Sequence, residues 1–163
     1  MTKPFTAFFA ICIWRVKGTS FFNHQYTYDT DGHLVSFWQP FTYNDKIVDS
    51  AFYTLKYENG DLVEVTTADQ SISNHKVNFA FYDEPNQNLL GYNQPLYIAG
   101  VLVDRNTFYL IGAGFFGKQS AHLYKTVDFN NPNSQGGPVN YEKDTKGRIK
   151  TFGGLYSFEY QCE

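Results

Sequence analysis

Tyr26-Thr27-Tyr28-Asp29-Thr30-Asp31-Gly32-His33-Leu34-Val35-Ser36-Phe37 is the stretch whose reading decides the fold. Its pattern returns as Tyr141-Glu142-Lys143-Asp144-Thr145-Lys146-Gly147-Arg148-Ile149-Lys150-Thr151-Phe152. Both copies place a Tyr, an Asp-Thr pair, a Gly, an aliphatic residue and a Phe at the same spacing. A shorter version lies between them, Tyr57-Glu58-Asn59-Gly60-Asp61-Leu62-Val63-Glu64-Val65. Asp29 and Asp144 can accept a bond from backbone two residues on and so start a turn. Gly32 and Gly147 suit the positive φ that closes a four-residue connection, often with a bulge. Asn59-Gly60 is the signal of a two-residue type I′ turn. Tyr and Phe on either side fit a pleated, half-buried surface. The three copies therefore predict antiparallel hairpins.

Composition agrees. The 163 residues suggest one domain with a real core, and 19% aromatic residues, with 13 Tyr and 16 Phe, favour strands over helices. No long window carries helical apolar spacing. A net charge of −3, with no basic stripe, argues against nucleic-acid binding. Cys12 and Cys162 sit near opposite ends. They are either a disulfide tying terminal strands in an oxidising compartment or two separate thiols.

Residues 1–20 form an ambiguous N-terminal stretch, and 21–163 read as one meander domain. The apolar run Phe5 to Trp14 is too short to span a membrane as a helix, which takes about twenty residues. It fits a first strand, the remnant of an export signal, or a membrane-interface segment. Beyond it, strands are expected near Phe21–Tyr28, His33–Trp38, Phe41–Tyr43, Lys46–Tyr57, Leu62–Thr67 and Lys76–Tyr82, with a turn at Asn44-Asp45. Pro40 should interrupt, because it has no N–H for a ladder. Tyr53, Leu55 and Tyr57 alternate with Thr54 and Lys56, the period of a sheet with one wet face. Asp83 to Asn88 reads as a loop. Leu89 to Val127 is less regular; Leu96–Val103 fits a strand or short helix, and Asp104 or Asn106 can cap a helix ended by Gly117, while Thr107 to Ile111 is equally strand-like. Strands follow at Tyr124–Phe129, Val139–Lys143, Arg148–Phe152 and Leu155–Gln161.

Chemical motifs are weak. Gly112-x-Gly114-x-x-Gly117-Lys118 imitates a phosphate-binding loop, but Gln119 stands where Ser or Thr must hold magnesium, and no βαβ alternation surrounds it. A close glycine turn with Phe115 and Phe116 in the core is the better account. His24, His33, His75 and His122 lack ligand spacing and read as surface residues, His33 on a solvent-facing turn flank. The acidic residues Asp29, Asp31, Glu58, Asp61, Asp83 and Glu84 are explained by turn chemistry rather than Ca²⁺. No Gly-x-Ser-x-Gly elbow is present. No catalytic, metal or cofactor residue is therefore assigned. Candidate ligand contacts are Trp38, Tyr43 and Tyr57, within an aromatic set with Phe37, Phe41 and Tyr53 that can line a concave face for sugars or an apolar ligand.

The hairpins also carry a resemblance. Tyr-x-x-Asp-x-x-Gly-Arg-aliphatic is the YD-repeat pattern; Asp144, Gly147, Arg148 and Ile149 match it, and His33 replaces the usual Arg in the first copy. With Gly112 to Ser120 and the close Tyr156-Ser157-Phe158-Glu159-Tyr160, residues 22–160 resemble a Bacteroidetes family of unknown function described as porin-like. The resemblance implies a secreted or lipid-anchored envelope protein and no reaction. A membrane pore is not expected, since several strands are short and carry Lys or Glu.

The expected fold is all-β with minor α, an antiparallel meander forming a curved sheet or partly open barrel. Short helical or irregular segments should cover one face, and the Tyr-Asp-Gly bends should join neighbours in one continuous sheet. The expected function is non-enzymatic binding or scaffolding, of glycan or a partner protein in the envelope. Peripheral membrane attachment would come through a lipid anchor. The alternative is a carrier of a lipid or small apolar ligand. A hydrolase would be favoured by two close carboxylates in a cleft or by a His against an acid.

Overall fold

The computed structural model describes residues 8–15, 21–43, 46–69, 75–87, 115–130, 136–153 and 156–159. All the regular structure described there is strand. β1 (Phe8–Arg15), β2 (Phe21–Tyr28), β3 (Leu34–Tyr43), β4 (Lys46–Glu58), β5 (Asp61–Asp69), β6 (His75–Pro85), β7 (His122–Asp128) and β8 (Gly137–Pro138) form one sheet in chain order. Every neighbouring pair is antiparallel. β1 and β8 are its two edges, so the sheet is open rather than closed into a barrel. β9 (Tyr141–Lys143), β10 (Ile149–Phe152) and β11 (Tyr156–Ser157) make a second, three-stranded sheet. The last hairpin thus lies outside the main sheet, and the expectation of one continuous sheet is corrected. Within the N-terminal apolar run, β1 pairs with β2, Phe8 opposite Tyr28 through Arg15 opposite Phe21.

Strand alternation divides the main sheet into two chemically different faces. Along β4, Ala51, Tyr53 and Leu55 are buried while Phe52, Thr54, Lys56 and Glu58 are exposed. The inner face gathers Tyr26, Leu34, Phe37, Tyr53, Leu55, Leu62, Val65, Val77 and Phe79, and Phe116 packs onto it from outside the sheet. Burying each such large side chain is worth about 1.5–3 kcal/mol. A second cluster, Tyr124, Val139 and Phe152, joins β7 to the small sheet, and Phe81 packs against both clusters.

Three local expectations change. β3 runs through Pro40, which pairs with Ser50 on the β4 side. The β2–β3 register ends at Gln25 opposite Trp38, so the strand is single-sided at Pro40 and tolerates it. β6 continues to Pro85 through an irregular ladder with β7, where a loop from Asp83 was expected. The final strand covers Tyr156–Ser157 and has ended by Phe158, while Leu155, Tyr160 and Gln161 of the expected strand lie outside the described residues. The readings of Leu96–Val103 and most of Asp104–Gly117, the turn at Asn44-Asp45, and the pairing of Cys12 with Cys162 lie outside the described residues.

Candidate functional site

The two full copies of the Tyr-Asp-Gly hairpin close with the same bonds. Asp29 Oδ1 accepts the amides of Asp31 (2.9 Å) and His33 (2.8 Å); Asp144 Oδ1 accepts those of Lys146 (2.8 Å) and Arg148 (2.9 Å). The Asp29 amide donates to the His33 carbonyl at 3.0 Å, and that of Asp144 to Arg148 at 2.8 Å. Each second carboxylate oxygen faces the side chain four residues on. His33 Nδ1 lies 3.1 Å from Asp29 Oδ2, and Arg148 Nε donates to Asp144 Oδ2 at 2.7 Å. Gly32 (φ 87°) and Gly147 (φ 77°) take the expected left-handed backbone. Asn59 (φ 53°) and Gly60 (φ 86°) form the two-residue turn with both φ positive.

One segment ties two of these turns together. The Lys118 amide donates to the Gly32 carbonyl (2.8 Å) and the Ala121 amide to the Gly60 carbonyl (3.0 Å). The Leu62 amide donates to Ser120 Oγ at 3.1 Å. At the third turn a side chain plays this part. Gln87 Nε2 donates to the Gly147 carbonyl (3.2 Å), and Gln87 Oε1 accepts the Ile149 amide (3.0 Å). Leu34, Leu62 and Ile149, the aliphatic residue after each glycine turn, are all fully buried. The glycine-lysine motif ends in this strap: Gly117 bridges His33 and Phe116 is buried, the close turn expected of it.

His33 corrects its surface reading. It is 5% exposed and stacks on Tyr57, with ring centroids 4.5 Å apart. The pair with Asp29, and the pair His122 Nδ1–Asp61 Oδ2 at 2.8 Å, are the His-against-acid contacts that would favour a hydrolase. Their setting points to structure instead. Arg148, which cannot act as a base, does at the third turn what His33 does at the first. Asp61 Oδ1 accepts the His122 amide at 2.9 Å, so it anchors backbone as Asp29 does. The hydroxyl of Ser120, two residues before His122, is buried and accepts the Leu62 amide.

Asp29, Asp31 and His33 lie close enough for a metal, their ligand atoms within 4.8 Å of one another. Both Asp29 oxygens are already engaged by the turn, and the matching third turn closes with a guanidinium. Partial burial raises the Asp29 carboxyl, but the His33 amide, its ring and the Asp31 amide outweigh it and hold the group below its ordinary value.

The predicted ligand residues do not share a face. Tyr57 belongs to the inner cluster, beside His33. Phe37 and Tyr53 are packed into the core, their rings 5.6 Å apart. The side chains of Phe41 and Tyr43 lie outside the described residues. Trp38 points the other way, half-buried, directly across from Phe52 on β4. Phe52 is 44% exposed. Register places Gln25, Trp38, Phe52 and Ala68 in one row across four strands of the outward face. Two residues along lies a second row, Thr27, Ser36, Thr54, Thr66 and Lys76. A third holds Lys56, Glu64, Asn78 and Asp128. Lys56 pairs with Glu58 (2.6 Å) and Lys76 with Glu64 (2.5 Å). The Lys76 hydrogen bond holds the Glu64 carboxyl below its ordinary range.

Phe52 and the hydroxyl row were missed from the sequence. The signal was present: Phe52 falls one residue off the Tyr53, Leu55, Tyr57 alternation, on the side of Thr54 and Lys56. No protein-family model, curated protein or solved structure matches this chain significantly.

Proposed function

We propose that this protein is a non-enzymatic binding module of the cell envelope that holds glycan on the outward face of its main sheet. The observation that carries the reading is the cross-strand pair Trp38–Phe52, two aromatic rings on a solvent-facing sheet surface with Phe52 nearly half exposed. Such rings offer a flat apolar platform, and their π-faces suit the C–H face of a sugar ring. Gln25 beside Trp38 and the hydroxyls of the next row supply hydrogen-bonding groups beside the platform. A protein partner would need roughly 800 Å² of its own surface covered, around an apolar patch core. Between Gln25 and Ala68 the described side chains of the row are two aromatics, which suits a narrower ligand.

Tryptophan emission tests this directly. The chain has two tryptophans, so Trp14→Phe leaves Trp38 as the single reporter. Titration with soluble oligosaccharides should shift its emission, and Phe52→Ala should weaken binding about tenfold, a loss of about 1.4 kcal/mol. An emission unchanged by every oligosaccharide, or binding indifferent to both Phe52→Ala and Trp38→Ala, overturns the reading.

A further inference from the structure

We infer that the glycan is uncharged and lies across the strands, its rings on Trp38 and Phe52 and its hydroxyls on the Ser36–Thr54–Thr66 row. This rests on the glycan reading and narrows it to a ligand class and a second line of contacts.

The first support is the geometry of the rows. Residues two apart on one face of a strand are separated by about 6.8 Å, and neighbouring strands by about 4.8 Å. A sugar ring seated over Phe52 therefore has its rim facing Thr54, the next outward residue on the same strand. Ser36 and Thr66 flank Thr54 on the adjacent strands. Three hydroxyls in line form a ladder parallel to the aromatic row. The aromatic row from Gln25 to Ala68 crosses four strands, about 15 Å, which favours an oligomer over a single sugar.

The second support is charge. The aromatic row contains no ionisable group, and the hydroxyl row contains one, Lys76 at its far end. That lysine is spent on Glu64, and Lys56 on Glu58. Thr66 Oγ1 donates to Glu64 Oε1 at 3.3 Å and retains lone pairs to accept from a sugar hydroxyl. Nothing in these rows is placed to pair with a carboxylate, sulfate or phosphate. An acidic polysaccharide would meet Glu58 and Glu64, and the lysines of these rows, Lys56 and Lys76, are already paired with them. Hydroxyl and amide groups, which both donate and accept, complement a neutral sugar.

The test compares neutral oligosaccharides (gluco-, manno- and xylo-oligomers) with uronate and sulfated oligomers, by calorimetry and Trp38 emission, on the intact chain carrying Trp14→Phe. Neutral oligomers should bind, longer ones more tightly than the monosaccharide. Their affinity should change by less than about twofold between about 20 mM and about 500 mM salt. Thr54→Val with Thr66→Val keeps side-chain shape and strand preference, and should weaken binding about fivefold or more with an unchanged unfolding midpoint. Trp38-dependent binding of acidic oligomers that fades with salt overturns this inference and leaves the glycan reading standing. Neutral binding untouched by the double valine change overturns the hydroxyl row. Silence from every oligosaccharide overturns both readings.

Discussion

A methyl group added at Gly117 would lie 2.7 Å from the Gly32 carbonyl oxygen and 2.9 Å from the Leu34 nitrogen, and its φ of 65° would remain strained. Both obstacles are backbone, so neither can swing aside. At Gly32 the φ of 87° is strained for any L side chain, but the added methyl meets nothing within 4 Å. Gly117→Ala should therefore cost about 3 kcal/mol and Gly32→Ala about 1 kcal/mol. Urea denaturation of the two variants checks the order, and equal losses would mean that the strap does not grip the first turn. The contrast shows where residue-level reading of the sequence stops. Gly32 could be assigned its φ because Asp29 to His33 is a closed local unit. His33 was misplaced because its burial comes from Tyr57 and Gly117, which are remote in the chain. The identity of the residue, a His where Arg stands in the third copy, carries that information only once the neighbours are known: a short ring fits under the strap.

Each hairpin behaves as one electrostatic unit, which gives acid stability a predictable shape. Asp144 has its carboxyl raised by what little water it loses, but the Arg148 amide and guanidinium and the Lys146 amide outweigh this and hold it below its ordinary value of 3.8. Asp29 is held low in the same manner. A carboxyl lowered on folding stabilises the fold fully above its unfolded value, and the contribution disappears as pH falls through the folded value. Stability should therefore be flat in these groups above about pH 5 and decline below about pH 4. Asp144→Asn keeps an oxygen for the turn amides and removes the charge facing Arg148. It should lower stability at neutral pH and make the acid decline shallower, the two proteins converging once the Asp144 carboxyl is protonated in the fold. Chemical denaturation across pH 2–7 would show it, and parallel profiles would count against the assignment. At this scale much was legible, since turn residues and alternation act over a few positions. Less legible were the run of β3 through Pro40 and the detachment of the last hairpin. The first depends on where β2 stops pairing, and the second on β8 ending after two residues. Trp38 and Tyr57 could be picked as aromatics, but their opposite faces follow from a register that bulges shift, including the one between Lys56 and Tyr57.

At the scale of the molecule, the proposed binding would leave the open sheet with stability on one face and recognition on the other. Phe116 closes the inner face, its ring 5.9 Å from Tyr26 and 6.0 Å from Phe37. It also sits next to Gly117, so its packing seats the strap that holds the first two turns. Phe116→Ala should leave a cavity and cost about 3–5 kcal/mol. Trp38 and Phe52 face the other way, separated from that cavity by the sheet backbone. The surviving folded fraction of Phe116→Ala should then bind oligosaccharide as the parent does, within about twofold, since sites without shared partners act nearly additively. Trp38→Ala should do the reverse, with binding lost and stability reduced by about 1 kcal/mol, because a half-buried outward ring gives up only part of its burial. Denaturation and oligosaccharide titration on both variants separate the two effects. If Phe116→Ala weakened binding as strongly as Trp38→Ala, the inner core would be shaping the outer platform. The outward rows would then have to be understood as one face of a mechanically coupled sheet rather than as a surface carried on an independent frame.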